Sequence, residues 1–382
     1  MKFLDRIRTP KWKHKDVNVR IDAIKNVTNQ NDLEYIVLND NSPQMRKLAT
    51  QKITDNNLLN KIALTDNDVI VRREAIQKIY DEETLYLVAK NDRNEANCEN
   101  AMKKINNEKY FKDLAKNARF DVVRVNFVNK INEEDILTDI AKTDSSNWVR
   151  NTAVRKIHNE PVLIDIIKND SDNEVRETAI RNIDNTELLI DIALNDENDW
   201  VRRTSISKIN DERALTEIAK KETRKLNCQE AIRKIHDEEK LFDIIENAKD
   251  NTAKEEAIRN ITNPEILINI VTSDNDRSLR YTALNNIEDE KVIHTLYEQG
   301  YGDLIDEYTI KDIITDNDFL VELANQKNKY CKIAAIHKIT DITALNKINL
   351  PSEFEDRTAD GDGPLVHPVN DAYDERIKQL RN

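Results

Sequence analysis

The sequence is poor in residues that interrupt helices, with only 4 glycines and 7 prolines among 382 residues. Aromatic residues make up 5% of the chain, so small and medium aliphatic side chains must fill the core. The 3 cysteines lie far apart without C-x-x-C spacing, which excludes a local zinc cluster and fits a reducing compartment. No apolar run approaches the roughly 18 residues of a membrane-spanning helix, and the first residues lack a signal-peptide stretch. We therefore expect a soluble, cytoplasmic protein.

The charge balance limits the partners of this chain. Charged residues make up 34% of it, and the formal net charge is -13. A protein whose whole surface contacts nucleic acid or anionic lipid needs an excess of cations. Membrane binding is therefore not expected, and nucleic-acid binding would require a local basic strip.

A 26-residue repeat runs through most of the chain. Its clearest mark is a position that holds alanine in ten of thirteen repeats and is followed four residues later by isoleucine or valine. These positions are Ala23, Ala49, Ala75, Ala101, Phe127, Ala153, Ala179, Ser205, Ala231, Ala257, Ala283, Thr309 and Ala335. A fixed period of this length is typical of repeat proteins, whose stacked units bury a continuous core. The sequence predicts an all-α fold, a right-handed α-solenoid of about thirteen two-helix repeats.

Each repeat contains two short helical patterns. The first reads V-R-x-x-A-I-x-x-I, as in 149–157, and the second reads L-x-x-I-A, as in 215–219. An aspartate precedes the second helix in many repeats and is expected to cap its free amide groups. These aspartates are Asp55, Asp81, Asp211, Asp237, Asp289 and Asp341. The pattern leaves open whether the second helix is an α-helix or a 3-10 helix.

The repeats define four segments along the chain. Residues 1–14, with Phe3, Leu4, Ile7 and Trp12, are expected to form an N-terminal cap. The repeat solenoid covers 15–350, and Gly300 and Gly302 indicate a bend before the twelfth repeat. Residues 351–369 are rich in proline and glycine and indicate a linker, and 370–382 are expected to form a short helical tail.

The turn and first helix around Asp196, Val201 and Arg202 resemble the D-x-x-x-x-V-R signature of HEAT repeats. The usual HEAT unit has about forty residues, so the chain resembles the short HEAT-like class common in bacteria, with an armadillo-type fold. The leucine-rich variant repeat is a close alternative, in which one helix is a 3-10 turn. The resemblance covers nearly all of 15–350 and implies that the V-R helix lines the concave face.

The HEAT resemblance also implies a structural ladder of arginine and aspartate side chains along the stack. The central pairs that match are Asp144 with Arg150, Asp170 with Arg176, and Asp196 with Arg202. Cys98, Cys228 and Asp306 stand at the arginine position, so the ladder is expected to be interrupted there. A row of arginines with regular acidic partners favours a structural role over phosphate binding.

A basic stripe follows the small residue of the first helix by two or three positions. Its central members are Lys104, Lys130, Arg155, Lys156, Arg181, Lys208, Arg233 and Lys234. The stripe has two interpretations: a groove for an acidic protein segment, or side chains that complement helix C-termini. The second interpretation is slightly favoured by the sequence.

Trp148 and Trp200 occupy the same position of their repeats, just before the V-R pair, and Tyr330 shares it. Tryptophan and tyrosine dominate binding hot spots, so these side chains are candidate partner anchors. Packing against the adjacent turn is the simpler interpretation and is favoured.

These observations favour a non-catalytic scaffold that binds a protein or peptide, with an acidic segment, on its concave face. No nucleophile motif, phosphate loop or metal-ligand spacing is found, so neither an enzyme nor a cofactor is expected. Nucleic-acid or phosphate binding along the basic stripe is the alternative. A HEAT-like lyase or glycosylase is a less favoured third hypothesis, and the irregular fourth, ninth and twelfth repeats are where its site would lie.

Overall fold

The computed structural model describes residues 10–326, 328–350 and 368–381. All regular elements of these residues are helices, and none is a strand. The chain divides into two compact units, Met1–Asp184 and Asn185–Asn382. Phe3, Leu4, Ile7 and the predicted linker residues 351–367 lie outside the described residues. No helix in the described part of the chain is long and apolar enough to cross a membrane.

The first unit contains thirteen described α-helices and two described 3-10 turns, Lys11–Lys13 and Glu108–Tyr110. The α-helices are α1 (Val17–Ile24), α2 (Gln30–Asn39), α3 (Pro43–Lys52), α4 (Asn56–Thr65), α5 (Val69–Lys78), α6 (Glu82–Asn91), α7 (Glu95–Met102), α8 (Phe111–Asn117), α9 (Asp121–Lys130), α10 (Glu134–Thr143), α11 (Asn147–Val154), α12 (Glu160–Asn169) and α13 (Asn173–Arg181).

The second unit continues the same alternation. Its helices are α14 (Thr186–Asn195), α15 (Asp199–Lys208), α16 (Glu212–Lys221), α17 (Lys225–Ile232), α18 (Glu238–Asn247), α19 (Asn251–Arg259), α20 (Pro264–Ser273), α21 (Arg277–Asn285), α22 (Glu290–Leu296), α23 (Glu307–Asp312), α24 (Asn317–Ala324), α25 (Lys329–Lys338), α26 (Ile342–Leu345) and α27 (Pro368–Arg381). Through α26, odd numbers mark the first helix of a repeat and even numbers mark the second.

Helix pairs pack in tandem within each unit, which confirms the all-α repeat architecture. First helices pack against the first helices of neighbouring repeats, and second helices pack against second helices. Ala49, Ala75, Ala153 and Ala179 are fully buried, because their small side chains let adjacent first helices approach closely. Phe127 replaces alanine in the fifth repeat and packs at 5.3 Å between ring centroids against Phe111.

The predicted helix caps are confirmed. The six aspartates that precede second helices each accept a hydrogen bond from a backbone amide of the following helix. The second helices are α-helices, and the only described one that starts with a separate 3-10 turn is α8. The expected irregularity before the twelfth repeat is a π-helix, Tyr297–Tyr301, in which Gly300 adopts a φ of 98°.

The C-terminal helix packs on the last repeat. α27 contacts α25 and α26, and it buries Val369 and Ala372. The Nε atom of Arg376 donates to the carbonyl oxygen of Ile339 at 2.8 Å, just after α25 ends. α27 therefore covers the end of α25, where a regular repeat would place its next first helix.

Candidate functional site

The ladder arginines bind two repeats at once. Arg46 donates from Nε and Nη2 to the carboxylate of Asp66, at 2.8 and 2.9 Å, and from Nη1 to the carbonyl oxygen of Asp40 at 2.9 Å. Five further contacts join side chains at the same spacing: Arg20 with Asp40, Arg72 with Asp92, Arg124 with Asp144, Arg150 with Asp170, and Arg202 with Glu222. The ladder is thus built from bidentate ion pairs between successive repeats.

This geometry corrects the expected partners within the ladder. The HEAT resemblance implies that each arginine pairs with the aspartate six residues before it, but Arg150 and Arg202 donate to the backbone carbonyl oxygens of Asp144 and Asp196. Arg176 likewise donates to the carbonyl oxygen of Asp170. A ladder aspartate such as Asp66 therefore has two arginine partners. Its backbone carbonyl oxygen accepts a hydrogen bond from the arginine six residues later, and its carboxylate pairs with Arg46 of the preceding repeat.

Burial and ion pairing hold the ladder in its charged form. Hydrogen bonding to Asp170 raises the pKa of Arg150 against the opposing effect of burial. Burial acts to raise the pKa of Glu222, but hydrogen bonds from Arg202 and Asn227 outweigh it and lower that pKa to about 2. These charges are structural, because each is already neutralised by a side chain of the neighbouring repeat.

Most lysines of the basic stripe are bound to the protein itself. Lys104 donates from Nζ to the carbonyl oxygens of Ile76, Gln77 and Ile79, at 2.9, 2.8 and 3.0 Å. Lys156 binds the equivalent carbonyl groups at the end of α9, and Lys234 binds those at the end of α15. Desolvation by burial lowers the pKa of all three amines. These lysines therefore cap the first helix of the preceding repeat, which is a structural role.

The other members of the stripe differ from these lysines. Arg155, Arg181 and Arg233 are exposed, and the last two pair with Glu177 and Glu230 of their own helices at 3.1 Å. Lys130 is also exposed, with its amine 4.9 Å from the ring centroids of both Phe111 and Phe127. Lys208 is half-buried. The predicted stripe is therefore not a uniform set of cations that face solvent.

The tryptophans are exposed, unlike the packed arrangement that the sequence favoured. Trp148 and Trp200 are the second residues of α11 and α15, and their exposures are 49% and 57%. Tyr330 holds the same position in α25 and is 68% exposed. Sequence reasoning missed Ile70 and Leu226, which share this position in α5 and α17 and are 47% and 54% exposed. The repeat register itself could have identified them, since both stand five residues before the buried alanine.

We call the five side chains at this register position the exposed row: Ile70 and Trp148 in the first unit, and Trp200, Leu226 and Tyr330 in the second. The residue one turn after Trp148 adds a second unusual feature. Asn151 is 8% exposed, and its Oδ1 atom has no hydrogen-bond partner among the described residues. A buried amide oxygen without a partner is costly, so Asn151 lowers the stability of α11 at this point.

The irregular repeats show no unpaired buried acid among the described residues. In the fourth and ninth repeats, Asp92 and Glu222 are buried, but each is bound by a ladder arginine. In the twelfth repeat, the side chain of Asp306 accepts hydrogen bonds from the backbone N–H groups of Tyr308 and Thr309 and so caps the N-terminus of α23. The charges at these positions are therefore accounted for by local structure.

Comparison with known proteins adds little to this geometry. No protein-family model matches the sequence, and none of the curated proteins compared matches it. A solved structure is similar over 97% of this chain and 93% of the other, with 14% sequence identity and a TM-score of 0.32. It comes from work entitled "A conserved phosphorylation switch controls the interaction between cadherin and beta-catenin in vitro and in vivo". At this TM-score the likeness carries no argument about function.

Proposed function

We propose that this chain is a non-catalytic scaffold that binds a protein or peptide partner on the exposed face of its first helices. The observation that carries the proposal is the exposed row. Single exposed apolar residues are common on protein surfaces. Here large apolar side chains recur at one register position, although the packing of the repeats does not require them there.

The chemistry of the row fits protein recognition. Trp and Tyr supply large contact areas with few rotatable bonds, and they are enriched at the energetic centres of interfaces. The HEAT-like resemblance implies that the first helices line the concave face, where repeat proteins offer extended binding surfaces.

The nucleic-acid alternative has weaker support. It depends on a continuous row of amines that face solvent, yet Lys104, Lys156 and Lys234 donate to backbone carbonyl oxygens. A phosphate backbone would have to compete with these contacts at each repeat. We therefore retain the protein-binding scaffold as the proposed function.

Site-specific photo-crosslinking tests the proposal. A benzophenone amino acid is placed at position 200 or 226 of the full chain, and at position 217 as a control. Glu217 lies on the second helix α16 of the same unit, and its side chain is 56% exposed. In native lysate, both row positions should crosslink one and the same protein, and position 217 should not. Equal labelling from position 217, or no common adduct from the row, would contradict the proposal.

A further inference from the structure

The surface around Trp200 differs from the rest of the exposed row because it combines two apolar side chains with several cations. Trp200 and Leu226 are the second residues of α15 and α17, consecutive first helices that pack against each other. Their neighbours Arg203, Arg224 and Lys225 carry positive charge. We call these five residues the Trp200 patch.

One buried side chain holds the two apolar residues at a fixed separation. The Nδ2 atom of Asn227 donates to the carbonyl oxygen of Asp199 at 3.0 Å and to the carboxylate of Glu222 at 2.9 Å. Asn227 follows Leu226, and Asp199 precedes Trp200. The start of α17 is therefore tied to the start of α15, at the roughly 8–10 Å expected between packed helices. A preorganised pair of apolar contacts lowers the entropy lost when a partner binds.

The cations of the patch lack strong acidic partners. The guanidinium of Arg203 lies 5.8 Å from the ring centroid of Trp200. Neither Arg203 nor Lys225 forms an ion pair with a described residue. The Arg224 side chain is 69% exposed and forms one long ion pair, in which its Nε atom lies 3.9 Å from the carboxylate of Asp199. In a chain of net charge -13, three such cations beside exposed apolar groups favour a partner of opposite charge.

Asp199 is the one nearby carboxylate among the described residues that pairs with a cation of the patch, at the long distance of 3.9 Å from Arg224, and the others are engaged elsewhere. Glu230 pairs with Arg233 on α17, and Glu256 on α19 pairs with Arg259 and accepts a hydrogen bond from Gln229. From these contacts we infer that the Trp200 patch binds a peptide segment in which acidic residues flank one large apolar side chain. This inference rests on the proposed scaffold function and names the chemistry of its partner at one site.

The chain contains a structural equivalent of this patch that lacks its charge. Five repeats earlier, Ile70 and Arg73 replace Trp200 and Arg203, and Asn97 donates to the carbonyl oxygen of Val69 at 3.2 Å. The same helix tie is therefore present. However, Asn94, Glu95 and Ala96 stand where the patch has Arg224, Lys225 and Leu226. This equivalent site has one cation, one carboxylate and a smaller apolar surface, so it should not select acidic peptides.

Selection from a random library provides the test without a known partner. The full chain is immobilised and panned against phage-displayed random dodecapeptides, and enriched peptides are synthesised for fluorescence anisotropy. Enriched sequences should contain aspartate or glutamate around an aromatic or aliphatic residue. Arg203→Glu and Lys225→Glu should each raise the Kd at least about tenfold, because like charges then face each other. Arg73→Glu, the matched change at the equivalent site, should alter the Kd less than about twofold.

A charge-swapped peptide separates a local effect from misfolding. Replacing the acidic residues of the peptide by lysine should restore binding to Arg203→Glu and abolish binding to the wild type. Enriched peptides without acidic residues that still require Trp200 would overturn the inference and leave the scaffold proposal intact. No enrichment, or equal loss with Arg73→Glu, would also overturn it, while the crosslinking result decides the scaffold proposal separately. If an oligothymidylate binds the patch and loses affinity with Arg203→Glu, whereas peptides do not, the partner is nucleic acid and the inference is wrong.

Discussion

Cys98 and Ala118 lie at the two ends of one missing ladder contact. Cys98 stands at the arginine position of its repeat, and Ala118 stands at the aspartate position of the next. Cys228 and Ala248 repeat this relationship. The thiol keeps one of the contacts that an arginine makes, since Cys98 donates to the carbonyl oxygen of Asp92, six residues before it, at 3.5 Å. The contact within the repeat is kept, and the ion pair between repeats is absent.

The arginine and the aspartate of the ladder are both replaced at these repeats, and there is a physical reason why they are replaced together. A buried guanidinium without a carboxylate, or a carboxylate without a guanidinium, is strongly destabilising, whereas an apolar pair is tolerated. Burial raises the pKa of the Cys98 and Cys228 thiols to about 12, so neither is a thiolate nucleophile at neutral pH. The irregular fourth and ninth repeats are thus interruptions of the ladder that leave no orphan charge.

Restoring the missing contact should show strong coupling between the two positions. Cys98→Arg alone should destabilise the first unit by roughly 3 kcal/mol, because the new guanidinium has no acidic partner. Adding Ala118→Asp should recover about 1–3 kcal/mol of that loss through the new ion pair. Urea unfolding of the wild type, both single variants and the double variant measures the coupling. A coupling below about 0.5 kcal/mol would mean that the two positions do not face each other.

We expect the lysines of the basic stripe to contribute to the stability of the fold rather than to partner binding. Lys156→Met removes an amine that donates to the carbonyl oxygens of Val128, Asn129 and Ile131. These groups lose their partner at the end of α9, so we expect a loss of about 1–3 kcal/mol. Arg155→Gln, at the exposed neighbouring position, should change stability by less than about 0.5 kcal/mol.

Chemical unfolding of the two stripe variants provides the measurement. Equal denaturant midpoints of unfolding for Lys156→Met and the wild type would show that Lys156 does not stabilise the end of α9. Lys156 would then again be a candidate for binding a partner. A large loss with Arg155→Gln would show instead that the exposed side of the stripe is structural.

The sequence predicts the repeat because its signal is local and recurs. A buried alanine, an isoleucine one turn later and an aspartate cap each follow from helix geometry, and the structure confirms them at Ala153, Ile157 and Asp211. The ladder partners were harder to predict. Arg150 has acidic residues both six before and twenty after it, and only the packing of neighbouring repeats shows that the second supplies the carboxylate.

The exposure of the row could not be predicted from single residues. A tryptophan at the start of a helix fits both a packed turn and an open surface, so Trp148 and Trp200 needed the three-dimensional arrangement. The stripe was ambiguous for a similar reason: Lys156 and Arg155 are sequence neighbours, yet one is bound to carbonyl groups and the other is exposed. Which partner the row binds is not encoded in the repeat period at all, because the period reflects packing.

Enlarging an alanine side chain should lower the stability of the protein only where neighbouring first helices are in contact. Ala153 is fully buried between first helices, so Ala153→Leu should overpack the contact and destabilise the protein by about 1–3 kcal/mol. Ala96 is exposed at the start of α7, at the position of Leu226, and Ala96→Leu should be nearly neutral. Thermal unfolding followed by circular dichroism compares the two variants. If Ala153→Leu melts like the wild type, close helix approach does not depend on this residue.

The ladder should also make the free energy of unfolding depend on pH in the acidic range. Glu222 has an ordinary pKa of 4.5, and in the folded protein its pKa is lowered to about 2. Burial opposes ionisation, but the hydrogen bonds from Arg202 and Asn227 stabilise the carboxylate more strongly. A carboxyl group with a depressed folded pKa binds protons more readily when the chain is unfolded. Its contribution is therefore complete above about pH 4.5 and is lost as the pH falls towards 2.

Glu222→Gln isolates this contribution from other carboxyl groups. The free energy of unfolding should fall with decreasing pH by about 3 kcal/mol more in the wild type than in Glu222→Gln, between pH 5 and pH 2. Glu217→Gln, at the exposed position on α16, should keep the wild-type slope. Urea unfolding at half-unit pH intervals measures the three slopes. Parallel curves for the wild type and Glu222→Gln would mean that Glu222 is not held ionised by Arg202, and the ladder would then contribute no acid sensitivity at this repeat.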